Sequence, residues 1–211
     1  MDPRSMSDVP GMQTRGMLRA VPSSKNLPLM NEQSASSEVL AQFTRYRERF
    51  GRADIPGIVL CFATNLGLLT GMMEIAETLL FGESLLSRKH KEMIATFVSH
   101  RNTCPYCADS HAALLGAQGC SAEVICSLRV GDFNVKALTT AEVALLRFAG
   151  KVNANSPPIT RADVDATMQA GWTEEQVAES VHIAALFSAF NRIANGFGLH
   201  SPYSQDTGEE P

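Results

Sequence analysis

Asn102-Thr103-Cys104-Pro105-Tyr106-Cys107-Ala108-Asp109-Ser110-His111 is the stretch whose reading decides the fold, and Glu92 precedes its first cysteine by twelve residues. Pro105 suits the first position of a helix, where its missing N–H would have no intrahelical partner, and Cys104 then falls at the N-cap. At about 100° per residue, Cys104, Cys107 and His111 share an arc of roughly 60°, a stripe that Ala108, Leu115 and Gln118 extend. Unpaired N–H groups and the positive end of the helix dipole lie beside both sulfurs. They favour thiolate over thiol, so the spacing predicts lowered cysteine pKa values.

Glu92 has to reach this face from the preceding helix. A helix capped by Ser87, ending near His100 and turning through Arg101, Asn102 and Thr103 runs antiparallel to the cysteine-bearing one. That arithmetic sets Glu92 level with His111, where a carboxylate orients an imidazole and raises its basicity. Met93, Ile94, Phe97 and Val98 supply the apolar face, while Ala95, Thr96 and Ser99 are small enough for another helix to come close.

Working outward, every readable element is helical. Ser37 is the expected cap of a first helix with Val39, Leu40, Phe43, Tyr46 and Phe50 on one face. Pro56 opens an apolar stretch, and a further helical run follows over about 66–81. Gly119 ends the cysteine-bearing helix and Ser121 caps a short one to about Leu128. Thr139 with Glu142, Thr160 with Asp163 and Thr173 with Gln176 mark three more helix starts as capping boxes, and the last helix runs from about Glu174 to Asn195, stopping at Gly196 and Gly198. No segment alternates with a period of two, so the fold class is all-α, with about eight helices.

Residues 1–36, rich in Ser, Pro, Met and Gly without a period, read as a flexible N-terminal arm. Residues 37–200 read as one helical domain, and 201–211 as an acidic tail. With 45% hydrophobic and 19% charged residues the chain has an ordinary globular composition. A net charge of -4 gives no reason to expect nucleic acid or an anionic membrane as partner. Arg15, Arg19, Pro22 and Lys25 interrupt any signal-peptide core, so a cytoplasmic location is expected. Five cysteines, an odd count, point to a reactive pair with Cys61, Cys120 and Cys126 as bystanders rather than to a disulfide framework.

The spacing of Glu92, Cys104, Cys107 and His111 (E-x11-C-x2-C-x3-H) resembles the signature of the AhpD-like alkyl hydroperoxidases within the carboxymuconolactone decarboxylase superfamily. Residues 144–149 and 187–195 are similar to its peroxidase-related branch, and the resemblance covers about 37–200. It implies a peroxidase that acts on organic hydroperoxides without an organic cofactor or a metal. Cys107 would be the peroxide-attacking sulfur, Cys104 the proton donor and resolving partner, and Glu92 and His111 the proton relay. A Cys104-Cys107 disulfide would be restored by a dithiol reductant of lipoyl or thioredoxin-like kind. Family members carry a second histidine directly before the second cysteine, where this chain has Tyr106. A homo-oligomer, trimer or hexamer, is also implied, and the apolar residues Phe187, Phe190, Ile193 and Phe197 of the last helix agree with it.

Other chemistries fit less well. Cys-Pro-Tyr-Cys in a glutaredoxin-like site would follow a strand, and haem attachment would need a histidine at Ala108. Zinc needs four ligands, and no second ligand pair is evident. The alternative from another class is a redox-sensing or zinc-binding helical regulatory protein without efficient turnover.

Overall fold

Nine consecutive residues of one helix, Lys91 to Ser99, are buried, and the rest of the chain is wrapped around them. The computed structural model describes residues 24–154 and 157–201. In chain order its α-helices are α1 (Ser37–Phe50), α2 (Gly57–Phe62), α3 (Leu66–Ala76), α4 (Arg88–Arg101), α5 (Pro105–Ala117), α6 (Ala122–Val130), α7 (Thr140–Ala154), α8 (Arg161–Gln169) and α9 (Glu174–Phe197). No strand occurs among the described residues, so the fold is all-α.

The caps explain where these helices start. Ser87, Ser121, Thr160 and Thr173 each accept a backbone N–H of the first turn, and the Thr160/Asp163 and Thr173/Gln176 boxes are complete. Thr139 and Glu142 exchange the same pair of bonds before α7. Two boundaries differ from the sequence reading. Ser36, not Ser37, is the cap of α1, and α9 runs through Gly196 to Phe197, with Gly198 at φ 74° as its left-handed C-cap. Gly196 is tolerated because α9 is held by packing along its length rather than by propensity alone.

Helix α4 packs against α5, α6, α7 and α9. It is therefore buried over most of its circumference and not only on the face expected from periodicity, with Lys91, Glu92, Thr96 and Ser99 among its buried residues. Ile94, Val98, Leu115, Leu128, Leu146, Ile183 and Phe187 form the centre of the main core. A second core lies between α1, α2 and α3, built on Phe43, Val59, Leu69 and Met73. Buried Lys91 reaches the Gly82 carbonyl at 3.0 Å and Glu179 at 3.5 Å. Glu179 also accepts from Ser84 Oγ and from the Leu86 N–H, so the segment leading into α4 is tied to α9.

Of residues 24–36, assigned by sequence to the N-terminal arm, 24–27 lie against the end of α9. The N–H groups of Lys25 and Asn26 donate to the carbonyls of Gly198 and Phe197, carbonyls that a helix end leaves without internal partners. Leu29 and Met30 pack on the second core. Residues 1–23 of that arm, and the tail beyond Ser201, lie outside the described residues. Phe187 and Phe190 of α9 are buried within the chain's own core, so they offer no surplus apolar face; the exposed apolar residues of α3 are Leu66, Leu68 and Ile75.

The connection between α4 and α5 is three residues long, 102–104. The Cys104 N–H donates to the Ser99 carbonyl at 3.0 Å and the Thr103 N–H to the His100 carbonyl at 3.0 Å, the paired bonds of a Schellman C-cap. Its left-handed position is filled by Thr103, at φ 51°, the non-glycine residue with positive φ among those described. A β-branched side chain there costs about 1–2 kcal/mol. Thr103→Gly relieves that strain but gives the unfolded chain about 0.5–1 kcal/mol more conformational freedom, so a net gain of about 1 kcal/mol should raise the thermal midpoint by about 2–4 °C, measured by circular dichroism. An unchanged or lower midpoint would show that the Thr103 side chain is not strained.

Candidate active site

The cap between α4 and α5 fixes the register of the two helices. With Ser99 bonded to Cys104, successive turns bring Thr96 level with Cys107 and Glu92 level with His111. The structure joins the last pair directly: Glu92 Oε2 lies 2.6 Å from His111 Nδ1. Glu92 is 1% exposed, and its other oxygen accepts from Arg88 Nε at 2.6 Å. Arg88, one turn earlier on α4, stacks over the Phe81 ring at 4.3 Å. His111 in turn meets Phe187 edge to face at 4.6 Å.

Burial pushes the Glu92 carboxyl up, but the neighbouring His111 and Arg88 outweigh it and hold the group below its ordinary value. A depressed carboxyl stabilises the fold above its unfolded value, and that contribution is lost as pH falls through the folded one.

Cys104 occupies the N-cap of α5 with Pro105 at the first helical position, as the spacing predicts. Both sulfurs are buried and unbridged. Cys61 of α2 packs in the same cluster with Ala194 and Leu199, and Leu29, Ile58, Ile193 and Phe197 close around it. The expectation that both thiols are lowered holds for one only. Cys104 is lowered by a hydrogen bond from Cys107, against burial, with help from the Asn191 amide. Cys107 is raised well above the usual thiol value, because it is the donor in that bond and because it is buried. The two behave as one acid that gives up its first proton readily and its second reluctantly. Cys61 is desolvated, its thiol pushed up to about 12. It is thus a neighbour of the pair, though unreactive as an anion.

Tyr106 packs against the cysteine cluster. Its hydroxyl accepts the Ile58 N–H at 3.2 Å and so anchors the cysteine turn to the start of α2. Its phenol is pushed up by burial, which keeps it neutral.

Three residues of the site had no role in the sequence reading. Arg88 was legible as an Arg–Glu pair at i,i+4. Asn102 and Asn191 were not, since their partners are remote in sequence. Asn191 is fully buried; its Nδ2 donates to Ser99 Oγ at 2.9 Å and its Oδ1 accepts from Asn102 Nδ2 at 2.9 Å. Asn195 donates to the carbonyls of Asn102 and Thr103 at 3.4 and 3.1 Å, so α9 clamps the strained turn. Thr96 carries a buried hydroxyl without a hydrogen-bond partner among the described residues. Among those residues no group of three or more His, Cys, Asp or Glu is arranged to hold a metal ion, and no helix is long and apolar enough to cross a membrane.

The model of the carboxymuconolactone decarboxylase family matches residues 67–148, which contain all four motif residues. A crystal structure of an alkylhydroperoxidase AhpD core, a peroxidase-related protein from Ralstonia eutropha JMP134, superposes with a TM-score of 0.75 at 23% identity over 85% of this chain and 93% of that one. Residues 67–148 thus match the carboxymuconolactone decarboxylase family, and the all-α fold is AhpD-like. A peroxidase-related protein from Silicibacter sp. TM1040 is 25% identical to this chain with a TM-score of 0.70, over 86% of this chain and 93% of that one. An alkyl hydroperoxide reductase of Mycobacterium tuberculosis is 35% identical over 86 residues, a match covering 40% of this chain and 24% of that protein's own length.

Glu92→Gln should cost stability at neutral pH, and the gap from the parent protein should shrink as pH falls below the ordinary carboxyl value of 4.5. Urea unfolding at pH 7 and pH 4 checks this. An equal gap at both pH values would mean that the carboxylate charge does not contribute.

Proposed function

We propose that this chain is a thiol-dependent peroxidase that reduces organic hydroperoxides, with 37–200 as its catalytic domain. The observation that carries the reading is the buried Glu92 carboxylate, held between Arg88 and His111 one helical turn from an unbridged cysteine pair. A buried carboxylate with two partners is costly to assemble, and it serves a base that has to cycle its proton. The peroxidase-related names of the similar proteins support the same reaction class.

In this reading Glu92 fixes His111 through Nδ1, leaving Nε2 as the nitrogen that exchanges protons. The sulfur pair starts with one proton between its two members, the other having passed to His111. When that proton rests on Cys104, the charge is on Cys107. Cys107 Sγ attacks one peroxide oxygen and the O–O bond breaks. The sulfur becomes a sulfenic acid and the alkoxide leaves as alcohol with the Cys104 proton. Cys104 Sγ then attacks Cys107 Sγ; the departing hydroxide takes the proton stored on His111, giving water and a disulfide. A dithiol reductant of lipoyl or thioredoxin-like kind returns both electrons. The apolar lining of the sulfurs, including Leu29, Ile58 and Phe197, suits an organic peroxide better than hydrogen peroxide.

The roles of the two sulfurs are separable. Cys107→Ser should abolish peroxide consumption, whereas Cys104→Ser should retain one stoichiometric attack that stops at a sulfenic acid, detected with a dimedone-type trap. Sulfenate on Cys104 in the Cys107→Ser protein, formed at the parental rate, would reverse the roles.

Because Glu92 acts through His111, Glu92→Gln and His111→Gln should each slow peroxide consumption by about tenfold to a thousandfold. The double variant should be little slower than the poorer single one. Stopped-flow rates from pH 6 to 9 test this, and additive losses would show that Glu92 and His111 do not form one relay.

A further inference from the structure

Helix α4 opens with Arg88, Lys89, His90 and Lys91, and its first turn holds no acid. A cation there opposes the positive end of the helix dipole, and Arg88 stands on the N-terminal side of Glu92, the weaker order for an i,i+4 pair. Helix stability therefore does not account for Arg88. Its side chain is nevertheless held in place. Nε and Nη2 both lie 2.6 Å from Glu92 Oε1, and the guanidinium lies 4.3 Å over the Phe81 ring. Phe81 ends a π-helical turn, Glu77–Phe81, closed by the Gly82 N–H on the Glu77 carbonyl at 2.7 Å. Such turns recur at functional sites. The cation is thus pinned between an aromatic ring and a buried carboxylate.

A relay needs its carboxylate to stay ionised at every stage. While His111 carries its extra proton, Glu92 has two cationic partners; once the ring has given that proton up, Arg88 remains as the charge beside a carboxylate only 1% exposed. A buried carboxylate that faces only neutral groups is costly. Without the Arg88 charge the Glu92-His111 pair would hold its exchangeable proton at neutral pH and could not accept one from the sulfurs. Other charges on the elements packed around Glu92 are paired elsewhere: Lys91 with Glu179 of α9, Lys89 with Glu142 of α7, Arg129 of α6 with Asp109 of α5, and Glu77 with Arg45 of α1. His90 also lies against Glu142, at 3.7 Å. We propose that Arg88 is a positioning residue that acts through Glu92, a fixed cation that keeps the carboxylate ionised while His111 is neutral and so sets the pH range in which the ring accepts a proton. The assignment rests on the peroxidase reading above for the use to which that proton is put. An arginine suits the task because its guanidinium stays charged at any working pH and enters no proton balance.

The test is nitrogen-15 NMR of the histidine-labelled, fully reduced full chain from pH 5 to 10, with the His111 signals assigned by their loss in His111→Gln. Arg88→Gln keeps a hydrogen-bond donor for Glu92 Oε1 without the charge, and Arg88→Lys keeps the charge without the planar fork. With a positive charge removed, the midpoint of the His111 titration should rise in Arg88→Gln by at least about one pH unit, tenfold in proton affinity. In Arg88→Lys it should stay near the parental midpoint. Peroxide consumption by Arg88→Gln should fall about tenfold at pH 7 and recover toward the parental rate at pH 9, because the profile is displaced along the pH axis. A merely structural Arg88 predicts instead an unmoved midpoint, an equal loss of rate at every pH, and no difference between the Gln and Lys variants. Any of these results would overturn the proposal. If circular dichroism shows Arg88→Gln to be unfolded, infrared spectra of the parent at pH 8 decide: a protonated-carboxyl band that Glu92→Gln removes overturns the assignment, and the lack of one supports it. Since the NMR measurement uses no peroxide, a midpoint that moves as expected in a protein that consumes no hydroperoxide would sink the peroxidase reading and leave the Arg88 assignment standing.

Discussion

The site depends on one hydrogen bond, from the Cys104 N–H to the Ser99 carbonyl. It closes the cap between α4 and α5, places Cys104 at the start of α5, and sets the register that brings Glu92 against His111 two turns away. A slip of one residue would turn the carboxylate about 100° away from the imidazole. The cap is built at a cost, since Thr103 stands where glycine is favoured. The turn is held in that state from outside, by Asn195 on its carbonyls and by Asn102 between Asn153 and Asn191. Strain beside the sulfurs and clamps from α7 and α9 are thus two parts of one arrangement.

Charge is handled differently at the two ends of this hairpin. At the Glu92 end a full carboxylate is buried, and two cationic or potentially cationic partners meet both of its oxygens. At the sulfur end the neighbours are mainly apolar or neutral, and the pair moderates its own charge by sharing a proton. Full ion pairing at the sulfurs would leave a buried cation alone once a disulfide formed. His111, level with Glu92 and one turn from Cys107, is the link between these two regimes.

Much of the fold was legible because it is written locally. Serine and threonine caps, the capping boxes, Pro105 at the first turn and glycine at the C-caps each act within four residues, and they fixed the starts of α4 to α9 closely. The pairing of Glu92 with His111 followed from counting along two antiparallel helices. What escaped was long-range. Asn191 bonds to residues 89 and 92 positions away in sequence, and nothing in its own neighbourhood marks it. Burial of Cys61 beside the pair depends on how α2 packs against α9, which periodicity does not report. The thiol values went astray for a similar reason. Helix position alone predicts lowering of both, whereas mutual hydrogen bonding and burial divide the pair. The docking of residues 25–27 rests on carbonyls at the end of α9, a partner far along the chain.

The central claim is that two buried cysteines at the start of α5 form one redox unit driven by the neighbouring Glu92-His111 pair. Its most direct test is the intact mass of the reduced protein after one equivalent of cumene hydroperoxide, followed by peptide mapping under non-reducing conditions. The account predicts loss of two hydrogens, a linkage between Cys104 and Cys107, and restoration by a dithiol. An unchanged mass, or a linkage that maps to Cys61, Cys120 or Cys126, would contradict it.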